Sequence, residues 1–239
     1  MNSNRKTAII VGVLFITATV TALLSFGFIG PILDDPDYLI NVSANKNQML
    51  IGVLFELILA GAVVGIAVFM FPILKKHNEA LALGYVGARI FEGLIIIVGS
   101  ISYLSLLTLS QEYVVGAPDA SHFQALGTLL LAEHDWSFLL GGGAFVFCVT
   151  ALILNYLLYQ SKLVPRFISV WGLIGAILML VSGLLSMFDL SPSPTATSTI
   201  STFLFLPIAL NEMFLAVWLI VKGFNSSAIA SGSDKTNIN

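Results

Sequence analysis

Long apolar runs broken by short polar stretches set the pattern of this chain. Six runs are long enough to cross a hydrocarbon core of ~30 Å, which takes about 20 helical residues. They cover residues 7–30, 48–74, 81–109, 136–159, 167–188 and 200–222. Backbone N–H and C=O groups cannot stay unpaired in lipid, so continuous apolar runs of this length predict helices. A transmembrane barrel would instead alternate in-facing and out-facing residues over strands of roughly ten, and the sequence does not. The expected fold is all-α and integral to the membrane: a six-transmembrane-helix bundle forming one domain over residues 1–224. The tail 225–239, rich in Ser, Asn and Gly, is expected to be disordered.

The polar breaks refine this picture. Arg5 and Lys6 precede the first run as they would in a signal peptide, but a signal core has only ~7–15 apolar residues before a small-residue cleavage site. The first run is longer and lacks such a site, so it reads as an uncleaved span. Residues 75–80 and 160–166 make tight links, whereas 31–47 and 191–199 carry the Pro, Asp, Asn and Ser of loops. Residues 121–134 are apolar at Phe123, Leu126, Leu129 and Leu130, and Asp119 or Ser121 could cap a helix there. Joined to the fourth span, that helix would be about 58 Å long, too long for a bilayer. A helix lying on the outer surface is therefore expected, with a bend near residues 133–135.

Charge orients the bundle. With the N-terminus inside, Arg5, Lys6, Lys75, Lys76, Lys162, Arg166, Lys222 and Lys235 are cytoplasmic, and only Lys46 is outside. This positive-inside bias predicts a plasma-membrane protein with both termini cytoplasmic. Composition agrees: 57% of residues are hydrophobic and 10% charged, against about 45–50% and about 25% in soluble domains. A net charge of -3 argues against nucleic acid as a partner. The lone Cys148 excludes a disulfide framework and reads as a small apolar filler.

The residues that lipid should exclude hold the candidate chemistry: Glu56, Arg89, Glu92, Asn211 and Glu212. A charge at bilayer depth costs about 2.5–3.5 kcal/mol on insertion scales, so it normally faces the bundle interior and has a partner. Counting along the spans at helical rise puts all four charged groups in one slab near the membrane middle. In span three, Tyr85, Arg89, Glu92, Gly99 and Tyr103 share one helix face, and Arg89 and Glu92 can pair. Pro207 can bend span six just before Asn211 and Glu212, and glycines 141–143 would let another backbone approach span four. Three carboxylates against one guanidinium leave two negative charges over if all are ionised. Protonation, a bound cation, a cationic substrate or His134 could offset them. Equally, Arg89, Glu92 and Glu212 could form a structural salt bridge. Trp136, Trp171 and Trp218 read as interfacial or packing residues.

Residues 82–93 (ALGYVGARIFEG), 132–141 (AEHDWSFLLG), 157–172 (LLYQSKLVPRFISVWG) and 206–224 (LPIALNEMFLAVWLIVKGF) resemble the bacterial membrane family called domain of unknown function 4386. The shared marks are the Arg-x-x-Glu of span three, the His-Asp before span four, the Leu-x-Pro-Arg link and the Asn-Glu of span six. The resemblance implies a small multi-pass bacterial membrane protein. It points to Arg89, Glu92, His134 and Glu212 as site positions, and its name carries no activity.

Three functions compete. The first is a transporter with a proton- or cation-linked site at Glu56, Arg89, Glu92, His134, Asn211 and Glu212. Its halves, spans one to three and four to six, would form an inverted repeat around a midplane site, and a transporter of this size is expected to be a homodimer. The second is a membrane-embedded enzyme in which Glu56, Glu92, His134 and Glu212 hold a divalent metal that activates water. No His-Glu-x-x-His spacing supports it. The third is a non-catalytic accessory protein whose buried charges only set helix packing. Convergence of the Glu56, Glu92 and Glu212 carboxylates around a cavity would favour a site. Carboxylates aimed at separate neighbours would favour packing.

Overall fold

A computed structural model describes residues 3–116, 120–188 and 199–229. Its helices are α1 (Ser3–Leu33), α2 (Tyr38–Ala44), α3 (Lys46–Leu74), α4 (Glu79–Gly116), α5 (Ala120–Phe138), α6 (Phe145–Ser161), α7 (Arg166–Phe188) and α8 (Thr199–Val221), with a π-helical turn at Leu139–Gly143 between α5 and α6. No strand occurs among the described residues. Six helical stretches are long and apolar enough to cross a membrane; the continuous stretch Ala120–Ser161 counts as one of them. Each presents large apolar side chains outward, such as Leu23 and Phe26 of α1 or Ile174 and Ile177 of α7. Water would penalise such surfaces and lipid covers them. The protein is a multi-pass membrane protein.

The spanning helices close into an up-and-down ring in chain order. Helix α1 packs on α3, α3 on α4, α4 on α5 and α6, α6 on α7, α7 on α8, and α8 back on α1. The closing contact is intimate: a Cβ on Gly12 would lie 2.7 Å from the Ala216 carbonyl oxygen and 2.6 Å from Ile220. Arg5 seals its end, donating from Nη1 to the Leu219 carbonyl at 3.0 Å and from Nη2 to those of Ile220 and Val221. These carbonyls end α8, where a cation satisfies unpaired acceptors and the negative end of the dipole. Arg5→Ala should therefore lower stability by about 2 kcal/mol, read as thermal unfolding in detergent, and Arg5→Lys should restore part of it. An unchanged midpoint in Arg5→Ala would show that the ring closes without this cap.

Up-and-down packing gathers Arg5, Lys75, Lys162, Arg166 and Lys222 at the end where α1 starts and α8 finishes. A large apolar core fills this basic end, with Phe15, Met70, Leu74, Leu157, Leu163 and Leu219 among its members. A second core fills the opposite end, where Ile29, Leu39, Met49, Val53, Tyr103 and Leu106 meet. The buried charged groups lie between the two.

Three sequence expectations need correcting. The stretch 31–47, expected as a loop, contains α2, because Leu39 and Val42 fall one turn apart and bury together against the bundle. The bend expected near residues 133–135 lies farther on. Helix α5 runs unbroken through Glu133, His134 and Asp135 to Phe138, and the break comes at Leu139–Ala144. Glycines explain the shift: a Cβ at Gly141 would meet Ile95 at 2.7 Å, and one at Gly143 would meet the Phe138 carbonyl oxygen at 2.7 Å. The irregular turn is possible only without those side chains. Finally, residues 225–229 of the expected tail are ordered: Asn225 N–H donates to the Leu163 carbonyl, and Ala228 joins the basic-end core. Residues 230–239 lie outside the described residues.

Candidate functional site

Arg89 lies at the centre of the ring, 1% exposed. It stands on α4, one turn from Tyr85 and from Glu92, so all three share the face that α4 turns inward. Arg89 Nη1 bonds the Glu92 carboxylate at 3.0 and 3.2 Å, and Nε donates to the Tyr85 hydroxyl oxygen at 3.3 Å. From α8, Glu212 brings a carboxylate oxygen to 3.6 Å from Nη2. From α6, Thr150 donates to Glu92 at 3.2 Å, and the Phe147 ring lies 5.7 Å from the guanidinium carbon. One guanidinium thus ties α4 to α8 and, through Glu92, to α6. The sequence expectation that Arg89, Glu92 and Glu212 meet agrees with this geometry.

Asn211, next to Glu212, turns away from this centre. It is fully buried and its Nδ2 donates to the Ile168 carbonyl at 2.8 Å, locking α8 to α7. Nearby on α7, the place of a Gly172 Cβ is filled by the Asn155 amide of α6. Asn211 belongs to this packing seam of α6, α7 and α8.

Glu56 does not join Arg89, contrary to the single slab expected from depth. Its carboxylate accepts from Ser100 Oγ at 2.6 Å and Ser25 Oγ at 3.4 Å, and faces His134 Nε2 at 3.1 Å. Ser100 is eight residues beyond Glu92 on α4, about 12 Å at helical rise. Depth counting failed because α4 has 38 residues and is about 57 Å long, so its ends do not mark the edges of a 30 Å slab. His134 stacks on Tyr103, ring centroids 3.6 Å apart, and fits over Gly99, where a Cβ would come within 3.3 Å of the ring. Its other nitrogen, Nδ1, lies 3.9 Å from Asp135. The side chains of Glu56 and His134 are each 12% exposed and that of Asp135 is 24% exposed.

The interior therefore holds two separate polar groups: an arginine-centred one, and a line of Asp135, His134 and Glu56 nearer the end opposite the basic one. For a metal, Glu56, Glu92, His134 and Glu212 would have to converge, and they divide between the two. Asp135 and Glu56 lie on opposite sides of the His134 imidazole, so the three do not surround one point. Among the described residues, no group of three or more His, Cys, Asp or Glu could hold a metal ion, which withdraws support from the metalloenzyme reading.

Sequence reasoning missed Ser25, Ser100, Thr150 and the inward role of Asp135. Hydroxyls on apolar spans usually bond their own helix one turn back, so only helix neighbours reveal a tertiary role. Asp135 carries one signal in the sequence, its adjacency to His134 just before span four.

A bundle of six apolar helices enclosing partnered buried charges between two apolar cores defines a multi-pass membrane protein. Residues 10–223 match the family described as "Domain of unknown function (DUF4386)", and the chain belongs to that family. No curated protein and no solved structure matches it.

Proposed function

We propose that this is a transporter-like, proton-linked protein in which Asp135 and His134 pass a proton from the end of the bundle opposite the basic one to Glu56, which carries it across as the bundle changes conformation. The carrying observation is the ordered line of the three groups. His134 Nε2 faces Glu56 at 3.1 Å and Nδ1 faces Asp135 at 3.9 Å, so the imidazole can take a proton on one side and release it on the other. Chains of Asp, Glu and His inside membrane bundles are characteristic of proton pathways. Tyr103 stacking fixes the ring plane, and Ser25 and Ser100 hold the receiving carboxylate. The gap to Asp135 exceeds a hydrogen bond, and a small rotation of that partly buried side chain would close it.

In this reading the N-terminus is cytoplasmic in the cell membrane, supported by the basic residues gathered where α1 starts and α8 ends. The relay then opens outward, with the surface half of α5 near the outer interface. The Arg89 group is the packing anchor beneath it, supported by the ties it makes from α4 to α8 through Glu212 and to α6 through Glu92 and Thr150.

Reconstituted vesicles carrying a pH-sensitive dye test the relay. Wild type should pass protons under an imposed potential, and Glu56→Gln and His134→Asn should fall to the level of empty vesicles while staying folded. Flux in Glu56→Gln equal to wild type would sink the proposal.

A further inference from the structure

At the basic end lies a cleft of about 470 Å³ that the relay and the Arg89 group do not touch. It runs between the α6–α7 link and the end of α8, and its lining includes Lys162, Arg166, Lys222, Trp218, Val164 and Phe224. We propose that this cleft binds a phosphate-bearing anion, as the headgroup of an anionic lipid or as soluble phosphate.

Charge is the first argument. Lys162, Arg166 and Lys222 all border the cleft, and none forms an ion pair among the described residues. Among the described residues no carboxylate borders the concavity beside these three exposed cations, so an anion seated there meets an unopposed positive field. The attraction between that field and a bound anion is the expected driving force. Arg166 also begins α7, whose positive dipole end adds to the same field. The Arg166 guanidinium lies 5.0 Å from the Tyr159 ring centroid, and a guanidinium offers phosphate a planar fork of two N–H donors.

Architecture is the second argument. Lys162 takes a left-handed conformation, φ 57°, which ends α6 and turns the chain sharply. The turn is tied to the segment after α8: Asn225 N–H donates to the Leu163 carbonyl at 2.9 Å, and Asn225 Nδ2 to the Lys162 carbonyl at 3.4 Å. The walls are thus held by hydrogen bonds from both sides of the cleft. Trp218 and Phe224 beside the cations give an apolar wall of the kind that a glycerol backbone and first acyl carbons would meet. Basic pockets between spanning helices take lipid headgroups in this way.

Native mass spectrometry of the full chain in detergent tests the site, with phosphatidylglycerol, phosphatidylcholine and inorganic phosphate as probes. Wild type should retain phosphatidylglycerol in preference to phosphatidylcholine. Lys162→Gln and Lys222→Gln should each weaken that retention about fivefold, whereas Lys75→Gln, at the same end but outside the cleft, should not. The lysines are chosen because Arg166 also packs on Tyr159, and unchanged thermal midpoints confirm that the variants fold. Displacement of the lipid by millimolar inorganic phosphate assigns the cleft to soluble phosphate; resistance to it assigns the cleft to the lipid headgroup. Equal retention of the two lipids with no phosphate bound overturns the proposal. So does a loss in Lys75→Gln as large as in Lys162→Gln, which would show a general attraction to the basic end.

Discussion

Arg89→Met should destabilise the bundle by about 3–5 kcal/mol, the range expected when one partner of a buried ionic group is removed. The substitution nearly conserves volume, so little of the effect comes from packing. It arises because Glu92, 1% exposed, and Glu212 lose the guanidinium that faces both at 3.0 and 3.6 Å. The two carboxylates then face each other across the ring without a cation. Adding Glu92→Leu and Glu212→Leu to Arg89→Met should recover most of the loss, because apolar replacement of a whole buried ionic group is often neutral. Thermal unfolding in detergent measures both variants. If the single variant unfolds like wild type, the anchoring role assigned to Arg89 is wrong. If the triple variant folds yet vesicles lose proton flux, the arginine group takes part in function as well as packing.

Gly12→Val should cost at least about 1–3 kcal/mol, the usual penalty for overpacking, by forcing apart the first and last spans. A Cβ there meets the Ala216 carbonyl oxygen at 2.7 Å, and that oxygen belongs to the backbone of α8 and cannot rotate away. The neighbouring contact with Ile220, a flexible side chain, could relax; the backbone contact cannot. Helix separation would also move the Leu219–Val221 carbonyls away from Arg5. Gly87 gives the opposite sign. Nothing lies within 4 Å of a Cβ at that position, so Gly87→Ala in mid-helix should gain about 0.5–1 kcal/mol. Measured together by thermal unfolding, the pair separates glycine as a packing requirement from glycine as a mere helix weakener. A destabilised Gly87→Ala would contradict the geometry.

The amino-acid sequence by itself determined the class of fold. Apolar run length sets what can cross a bilayer, and that is a local property of the chain, so the six spanning stretches and the all-helical architecture were legible. So was the Arg89–Glu92 pair, because residues three apart on a helix are neighbours wherever the helix sits. Glu212 was legible as one of three candidate carboxylates for Arg89, but not that Glu56 would be the one left out.

Only the tertiary structure decided how the remaining polar groups divide. Glu56 and Glu92 lie at similar counted depths, yet Ser25, Ser100 and His134 hold Glu56 about 12 Å from Glu92 along α4. The partners come from α1, α4 and α5, and which faces those helices present depends on where glycines let backbones meet. Gly141 against Ile95 and Gly99 under His134 are such places. They set the offset and rotation of α5 on α4, and with them the line from Asp135 to Glu56. Periodicity shows that a helix has an inward face; it does not show which residue of another helix that face will meet.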